Sequence, residues 1–267
     1  MRCTAPGLLA FVSVLTLLFT SCQKELSGHD PDGFSTQCQL AKITYYDETT
    51  GAVADTAGIY YNNDKISQIY LSGYRLHLVY TNERVSRINY LDVNNAYYDV
   101  FDSISYNNTG QIASLIVYST GTGVNVPTSG YVIGYDAEGK PEKVVEKAEL
   151  GNGMEDAFEY LYTYAQQNVT SMLITDLVTA DIMSISYTAD TAANIFNKLP
   201  TEFIFADNLM FGISGVKFGY FSPFLFSKNN ITTMQGLPVT YETDGQGNIT
   251  ALLVNGKKLA TYTYNCK

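Results

Sequence analysis

Alternating apolar and polar positions run through most of the chain from Leu40 onward, and short polar turns interrupt them. Residues 131–145, YVIGYDAEGKPEKVV, show the unit: an apolar run ends in a tyrosine, a polar turn closes on Gly139, and a second apolar run begins at Val144. This is the pattern of a β-hairpin, because Asp, Asn and Gly accept the positive φ of tight turns at low cost. The alternation predicts strands with one buried and one wetter face.

The hairpin unit recurs, and its copies align on a tyrosine at the end of the first apolar run. The turn after the tyrosine varies in length, whereas two apolar positions beyond the turn stay three residues apart. Constant strands and variable turns are typical of an antiparallel sheet whose loops absorb change. We therefore predict an all-β fold, a curved antiparallel meander of a dozen or more strands that forms a barrel or a half-open barrel. The aligned positions, called the repeat tyrosines, are Tyr61, Tyr80, Tyr106, Tyr135, Tyr164 and Tyr241.

Two segments interrupt the alternation. Residues 143–159 join a charged run to Gly151-Asn152-Gly153, and we expect a long hairpin loop there. Residues 191–228 hold eight of the thirteen phenylalanines of the chain. Glycines and Pro223 disfavour a long helix in this Phe-rich segment, so irregular chain or short helical turns packed on the sheet are predicted.

The Phe-rich segment has two interpretations. In the first it is a plug, meaning a piece of chain that fills one end of the sheet with buried phenylalanine. In the second it is the wall of an apolar pocket, and Phe211, Phe218 and Phe224 contact a ligand there.

The first 37 residues differ in composition from the rest. Residues 1–21 combine one early cation, a short apolar run and small residues before Cys22, which predicts a secretory signal peptide. A retained transmembrane anchor is the alternative, although the apolar run is too short for a comfortable span. Phe19-Thr20-Ser21-Cys22 resembles a bacterial lipobox, with Phe in place of the commoner Leu. Residues 22–37 are polar and predict a flexible tether, so we expect a lipid on Cys22 to hold the protein on a membrane.

The net charge limits the classes of partner, and the remaining cysteines indicate the redox compartment. A formal net charge of −10 argues against nucleic acid and anionic membrane surfaces as partners. Cys38 and Cys266 lie at the two ends of the predicted β domain, residues 38–267. A disulfide between them would stabilise the fold by at most about 4–5 kcal/mol in the chain-entropy model. Two unrelated buried thiols are the alternative.

The lipobox, the acidic tether and the Tyr–polar–polar–x–Gly hairpins resemble uncharacterised cell-envelope lipoproteins of Bacteroidetes-type bacteria. The Phe-rich segment leading into Ser227-Lys228-Asn229-Asn230-Ile231 also resembles that family. The resemblance implies a porin-like fold, with repeats similar to the YD repeats of larger secreted shell proteins. It implies a lipid anchor in the outer membrane, on the periplasmic or the surface side. It implies no activity and no cofactor.

Catalytic and metal-binding patterns give no candidate site. The two histidines are His29, in the tether, and His77, which alternation predicts on the wetter face of a strand. Neither a Gly-x-Ser-x-Gly elbow nor a zinc cluster can be assembled. The oxygen-rich residues 244–248, and Asp136 with Glu138, could in principle bind calcium, but turns require the same residues.

We therefore expect a non-catalytic envelope lipoprotein that binds or scaffolds a glycan, peptide or protein partner through a tyrosine-rich sheet. The alternative is a carrier of a small apolar ligand or lipid in a cavity under the Phe-rich segment. A glycoside hydrolase is a third hypothesis, which would require two carboxylates to converge in a cleft. The absence of tryptophan, a common sugar platform, weighs against that hypothesis.

Overall fold

Sixteen strands close into one antiparallel barrel in the computed structural model. The structure describes residues 38–47, 49–121, 123–151, 153–194, 196 and 222–266. The prediction of an all-β antiparallel meander of a dozen or more strands is confirmed, and the sheet closes fully. Within these residues no helix has the length and apolar character needed to cross a membrane.

The strands are short and follow one another along the chain, and the described residues contain one short helix, which lies before the last four strands. Their bounds are β1 Cys38–Tyr46, β2 Val53–Asn62, β3 Lys65–Tyr70, β4 Arg75–Thr81, β5 Arg84–Leu91, β6 Tyr97–Tyr106, β7 Ile112–Ser119, β8 Val126–Tyr135, β9 Pro141–Glu149, β10 Met154–Ala165, β11 Asn168–Asp176, β12 Ile182–Ala193, α1 Ser222–Phe226, β13 Asn229–Met234, β14 Leu237–Thr243, β15 Ile249–Val254 and β16 Lys257–Cys266.

Each strand pairs with its neighbours in chain order, and β1 pairs with β16 to close the ring. We call the end of the barrel that holds the start of β1 and the finish of β16 the proximal end. The turns that follow the even-numbered strands lie at this end. A disulfide joins Cys38 to Cys266 there, with the two Cα atoms 4.0 Å apart, as predicted.

The prediction of a long loop over residues 143–159 is wrong. β9 continues to Glu149, β10 begins at Met154, and a tight turn connects them. The charges that suggested a loop form cross-strand ion pairs on the outside of the barrel, Lys143 with Glu159 and Lys147 with Asp156. Alternating charge on the wet face of two strands therefore imitated the composition of a loop.

The inner face of the barrel is apolar and rich in tyrosine. Fully or almost fully buried side chains such as Ile43, Leu76 and Ile88 alternate with outward polar residues, and they join one continuous core. Large rings, among them Tyr45 and Tyr160, occupy the same core. A barrel of sixteen strands is wide enough for an aqueous channel in porins. Here bulky inward side chains occupy that space.

Every repeat tyrosine makes the same hydrogen bond. Its hydroxyl donates to a backbone carbonyl near the proximal end of the preceding strand, at 2.8–3.0 Å. Tyr80 donates to Ile66 and Tyr135 to Ile112 in this way. Ile66 and Ile112 are themselves the first apolar positions after the turns of the preceding repeats. Each tyrosine therefore ties one hairpin to the hairpin before it.

Irregular strand pairing accompanies most of these ties. The register shifts immediately before Tyr61, Tyr80, Tyr106, Tyr135 and Tyr164. A β-bulge interrupts the ladder and bends the strand, which re-aims the side chain beside it. The bulge thus lets the ring point inward while its hydroxyl reaches a carbonyl of the neighbouring hairpin.

The described ends of the Phe-rich segment enter the proximal end of the barrel. The side chain of Asn194 donates to the carbonyls of Phe224 and Ser227 at 2.6 and 2.7 Å. The hydroxyls of Ser222 and Tyr162 lie 2.7 Å apart. The predicted short helical turn is therefore present as α1, and its contacts are those of a plug. The middle of the segment lies outside the described residues.

We predict that Tyr135→Phe lowers the free energy of unfolding by about 1 kcal/mol, because the substitution removes the hydroxyl that donates to Ile112. Urea denaturation followed by circular dichroism measures the change. Tyr60→Phe is the matched control, since Tyr60 is 54% exposed, and its effect should stay within about 0.5 kcal/mol. Equal effects of the two substitutions would contradict a stabilising role for the tie.

We also predict that the barrel loses stability in alkali. Burial raises the pKa of Tyr61 and of Tyr135 to about 12, whereas the pKa of an unfolded tyrosine is about 10. The folded chain holds these protons more tightly, so their contribution is complete below about pH 10 and is lost as the pH rises towards about 12. Urea midpoints measured from pH 8 upward should fall in that window and stay level below it. Midpoints unchanged through pH 12 would contradict this prediction.

Candidate functional site

The predicted site residues fall in different parts of the molecule. Cys22, Phe211 and Phe218 lie outside the described residues, so the lipid site and two of the three pocket-wall assignments stay predictions. Phe224 is described and has 0% of its surface accessible. Its ring meets that of Phe196 edge-on, with centroids 6.2 Å apart. In this structure Phe224 packs in the core and presents no surface to a ligand.

The tyrosine-rich face of the sheet is the inner face. Five tyrosines are buried in the core and ten more pack against it half-buried. The large exposed tyrosines among the described residues are Tyr60, Tyr97 and Tyr98. The expected tyrosine-rich binding surface therefore reduces to one sector of the outer wall, formed by the strands that carry these residues.

Two carboxylates point into the barrel, where a glycoside hydrolase would need a catalytic pair. Each of them accepts a hydrogen bond from a tyrosine. Tyr90 donates to Asp102 at 3.1 Å, and Asp102 is 1% exposed. The hydroxyl of Tyr160 donates to Glu146. Burial first, and the Glu146 carboxylate second, raise the pKa of Tyr160 far above its ordinary value. These pairs satisfy inward polar groups, of which Asp102 is buried and Glu146 is half-buried.

The oxygen-rich turns make backbone hydrogen bonds. Asp136 accepts from the amides of Glu138 and Lys140, and Asp244 accepts from those of Gln246 and Asn248, all at 2.9 Å. Both carboxylates thus stabilise the backbone of their turns, which is the role that turn chemistry predicted for them. In the described part of the chain, no cluster of three or more His, Cys, Asp or Glu side chains could hold a metal ion.

The outer wall formed by β2–β7 carries a group of aromatic and cationic side chains that contact one another. We call this surface the aromatic face. It consists of two clusters with the same composition, an aromatic pair and one arginine, and a row of polar side chains lies between them. The cluster residues are Tyr60, Tyr70, Arg75, Arg87, Phe101 and Tyr118.

The first cluster is built on β2, β3 and β4. The rings of Tyr60 and Tyr70 lie 4.6 Å apart at 57°, and the guanidinium carbon of Arg75 lies 4.9 Å from the Tyr70 centroid. Arg75 Nη1 donates to the Tyr70 hydroxyl at 2.8 Å. Its buried Nε and Nη2 have no acceptor among the described residues. This arginine is therefore oriented by one tyrosine, and its two unpaired donors are shielded from solvent.

The second cluster is built on β5, β6 and β7. The rings of Phe101 and Tyr118 stack at 5.2 Å and 14°. Arg87 lies over the Phe101 ring, with its guanidinium carbon 3.5 Å from the ring centroid, and its Nε donates to Asn89 at 2.6 Å. Phe101 is only 6% exposed as a result. A cation covers an apolar ring here while remaining at the surface.

Strand register joins the clusters into one surface. Tyr70, Arg75, Leu91 and Tyr97 are directly paired across four adjacent strands. The next row consists of Gln68, His77, Asn89, Phe101 and Tyr118, which are paired in the same way. His77 thus lies on the outer face, as its alternation predicted. Polar amide and imidazole groups separate the two aromatic clusters.

The cations of this sector lie on its three central strands, and its acidic residues lie in the turns and on β2 and β6. Strands β3, β4 and β5 contain Lys65, Arg75, Arg84 and Arg87 and have no aspartate or glutamate. The whole chain has 26 acidic and 16 basic residues. Glu83, in the turn between β4 and β5, forms an ion pair with Lys65, so these cations have acidic neighbours outside the strands.

Sequence reasoning missed the aromatic face. The available signal was the spacing of Arg75 with His77, and of Arg87 with Asn89 and Leu91, which places each set on one face of a strand. Only the register across five strands shows that these sets adjoin one another and the exposed tyrosines. Together they provide aromatic ring faces, guanidinium donors and neutral hydrogen-bonding groups on an open wall.

We predict that Arg87→Ala lowers the free energy of unfolding by about 1–2 kcal/mol, because it uncovers Phe101 and removes the partner of Asn89. Chemical denaturation measures the loss. The control is Lys258→Ala, which breaks an exposed ion pair with Glu242 and should change stability by less than about 1 kcal/mol. A neutral effect of Arg87→Ala would show that the guanidinium does not hold this cluster together.

No protein-family model and no curated protein matches the chain. Among solved structures, it is similar to a porin-like protein from Bacteroides uniformis ATCC 8492, with a TM-score of 0.47 and 15% identity over 85% of this chain and 98% of that chain. A porin-like protein from Bacteroides vulgatus ATCC 8482 gives a TM-score of 0.33 and 11% identity over 86% and 99% of the two chains.

The TcdB2-TccC3-TEV structure gives a TM-score of 0.22 and 10% identity over 75% of this chain but 12% of its own. At these identities and TM-scores the likeness carries no argument about function. The lipoprotein assignment and the similarity to YD repeats stay predictions.

Proposed function

We propose that this protein is a non-catalytic lipoprotein of the cell envelope, a plugged barrel that is anchored through Cys22 and binds a partner with the aromatic face. The observation that carries the proposal is the difference between the two faces of the sheet. Packing and tyrosine ties occupy the inner face, whereas Tyr60 and Tyr97 remain 54% and 65% exposed on the outer wall.

The polarity of the wall supports a barrel that works beside a membrane rather than as a pore through it. Transmembrane β-barrels present an apolar band to lipid and a polar lumen. This barrel has the reverse arrangement, with an apolar core inside and ion pairs such as Lys143–Glu159 and Lys147–Asp156 in the middle of outward strand faces. Placing those charges in lipid would be costly.

The proposed absence of catalysis rests on the state of the inward carboxylates. Asp102 and Glu146 each accept a tyrosine hydroxyl within the core. A glycoside hydrolase requires two carboxylates that flank an accessible bond. The alternative of a carrier for an apolar ligand gains no support from Phe224, whose side chain is fully buried against Phe196.

The proposed anchor fits the chain path. Residues 22–37 would span at most about 55 Å when fully extended, and they lead directly into Cys38 at the proximal end. An acylated Cys22 would retain the barrel at the membrane through more than one acyl chain. The outer wall, which faces sideways from the strand axes, would stay accessible to a partner in this arrangement.

We predict that Cys22→Ala releases the protein from the membrane fraction and abolishes labelling by a clickable palmitate analogue fed to the producing cells. The control is the double variant Cys38→Ser with Cys266→Ser, which removes the disulfide cysteines and should remain labelled. Detergent phase partitioning gives an independent readout. A wild-type protein that is unlabelled and soluble would overturn the anchor.

A further inference from the structure

We infer that the end of the barrel opposite the proximal end is a docking surface for a protein whose apolar patch is bordered by lysine or arginine. We call it the distal end, and it holds the turns that follow the odd-numbered strands. The inference goes beyond the proposed function, because it concerns a barrel end rather than the aromatic face on the wall. It rests on where the exposed apolar side chains lie and on the charge around them.

The exposed apolar side chains lie at the distal end. Within the described residues, every large apolar side chain that is exposed lies in a distal turn or within two residues of one, apart from Tyr60, Val132 and Leu173. They occur in or beside five successive hairpin turns, from β5–β6 to β13–β14, and also at the start of β2. The short proximal turns consist of polar residues, glycine and one alanine. The two ends of the barrel therefore differ in polarity.

Turn geometry does not require an apolar residue at the distal end. The β5–β6 turn, residues 92–96, has the hydrogen bonds of three proximal turns: its first side chain accepts from the amides two and four positions later, and its first amide donates to the fifth carbonyl. The fourth residue has a positive φ in all four turns. The second residue is Val93 here, with 69% of its surface exposed. At the proximal end it is Asn108, Ala137 or Gly245. Since the same turn forms without valine, folding does not explain Val93.

Backbone hydrogen bonds also fix the apolar residues of the β11–β12 turn. Asp176 accepts from the amides of Val178 and Thr179 at 2.9 and 3.0 Å. Val178 and Ile182, on the two sides of this turn, are 63% and 67% exposed. Because the backbone that carries them is already held in place, a partner that covers these side chains orders little chain on binding.

The spread of the exposed side chains requires a macromolecule. The five hairpins from β5 to β14, which we call the distal arc, include ten of the sixteen strands. Nine strand spacings correspond to about 43 Å of the rim. Exposed apolar groups edged by polar residues mark contacts with a protein or a membrane. An arc of this length is wider than a small molecule and fits a folded surface.

The distal arc is acidic. Its turns contain Asp92 and Asp181 and, in sequence, no lysine or arginine. Within three residues of these turns, the only basic residue in the sequence is Lys147, which forms an ion pair with Asp156. Other cations of the distal end lie outside the arc, on β4 and β16. The acidic residues at the strand ends of the arc are Asp99, Glu149, Glu155, Asp156 and Asp176.

This charge distinguishes a protein partner from a membrane and from a second copy. Anionic lipid headgroups would be repelled by the carboxylates of the arc. In an end-to-end dimer, two acidic arcs would face each other. A protein with lysine or arginine around an apolar patch would pair with the same carboxylates. The proposed tether agrees with this choice, because it leads into Cys38 at the proximal end and so attaches the barrel to a membrane by its other end.

The experiment uses the full lipoprotein in its producing cells, with the photoreactive amino acid benzoylphenylalanine in place of Val93 or Val178. The matched controls carry it in place of Asn108 or Ala137, in the proximal turns. After irradiation, mass spectrometry identifies the crosslinked peptide. We expect both distal positions to crosslink to one protein, through segments in which lysine and arginine outnumber aspartate and glutamate. The proximal positions should not give this product.

Surface variants test which contacts hold the partner. With benzoylphenylalanine at position 93, Ile182→Thr and Glu155→Lys should each lower the yield of the crosslinked product at least about fivefold, because the first removes apolar contact and the second reverses a charge. The controls are Val132→Thr, at an exposed valine on the barrel wall, and Glu83→Lys, at an exposed proximal residue. Neither control should change the yield, and urea midpoints check that every variant folds.

Every other outcome overturns the inference. Distal crosslinks to lipid alone would assign the distal end to a membrane, and a crosslinked dimer would assign it to a second copy. A crosslinked segment with an acidic excess, equal crosslinking from all four positions, no crosslink to any protein, or yields that Ile182→Thr and Glu155→Lys leave unchanged would each contradict it. The palmitate labelling of Cys22 tests the anchored lipoprotein independently, so these failures leave the proposed function in place.

Discussion

The structure depends on filling the inside of a sixteen-strand barrel while pairing most of the hydroxyls that this filling buries. Among the core tyrosines, only the hydroxyls of Tyr45 and Tyr262 have no hydrogen-bond partner in the described residues. A ring of this circumference encloses more space than aliphatic side chains alone fill well, and tyrosine supplies bulk at the cost of one hydroxyl. At the proximal end, the repeat tyrosines satisfy that hydroxyl with a carbonyl of the neighbouring hairpin. A single interaction thus fills the core, pairs a buried donor and holds successive hairpins together, which explains why the same residue recurs at the same place in each repeat.

Committing one face to this task leaves the other face free to vary. Most of the outer wall is polar, with cross-strand ion pairs such as Lys147–Asp156. The sector from β2 to β7 differs, because rings and guanidinium groups stack on one another there. Their concentration on adjacent strands fits the partner-binding role that we propose for this face.

The sequence predicted the repeating part of the fold and failed where long-range geometry decides. Alternation around the repeat tyrosines located the hairpins, because local propensity and turn chemistry agree there. The Cys38–Cys266 pairing followed from the predicted secretion of the protein and from the position of the two cysteines at the ends of the β domain. Alternation alone did not reveal that the tyrosine side faces inward, since tyrosine suits either face of a sheet. Residues 143–159 were misassigned because charged residues on a wet strand face have the composition of a loop. The aromatic face requires the register of six strands, which no local pattern encodes.

The seam between β1 and β16 gives the barrel a defined last step in its assembly. The other strands pair with neighbours in sequence, so hairpins can form as the chain emerges, but β1 must wait for the final residues. Until then its outer edge is an unpaired strand that can recruit other chains. Formation of the Cys38–Cys266 bond therefore reports that β16 has been synthesised and has paired with β1. A stalled or truncated chain would retain a free thiol beside an open edge, the two features by which an oxidising compartment can distinguish unfinished molecules from finished ones.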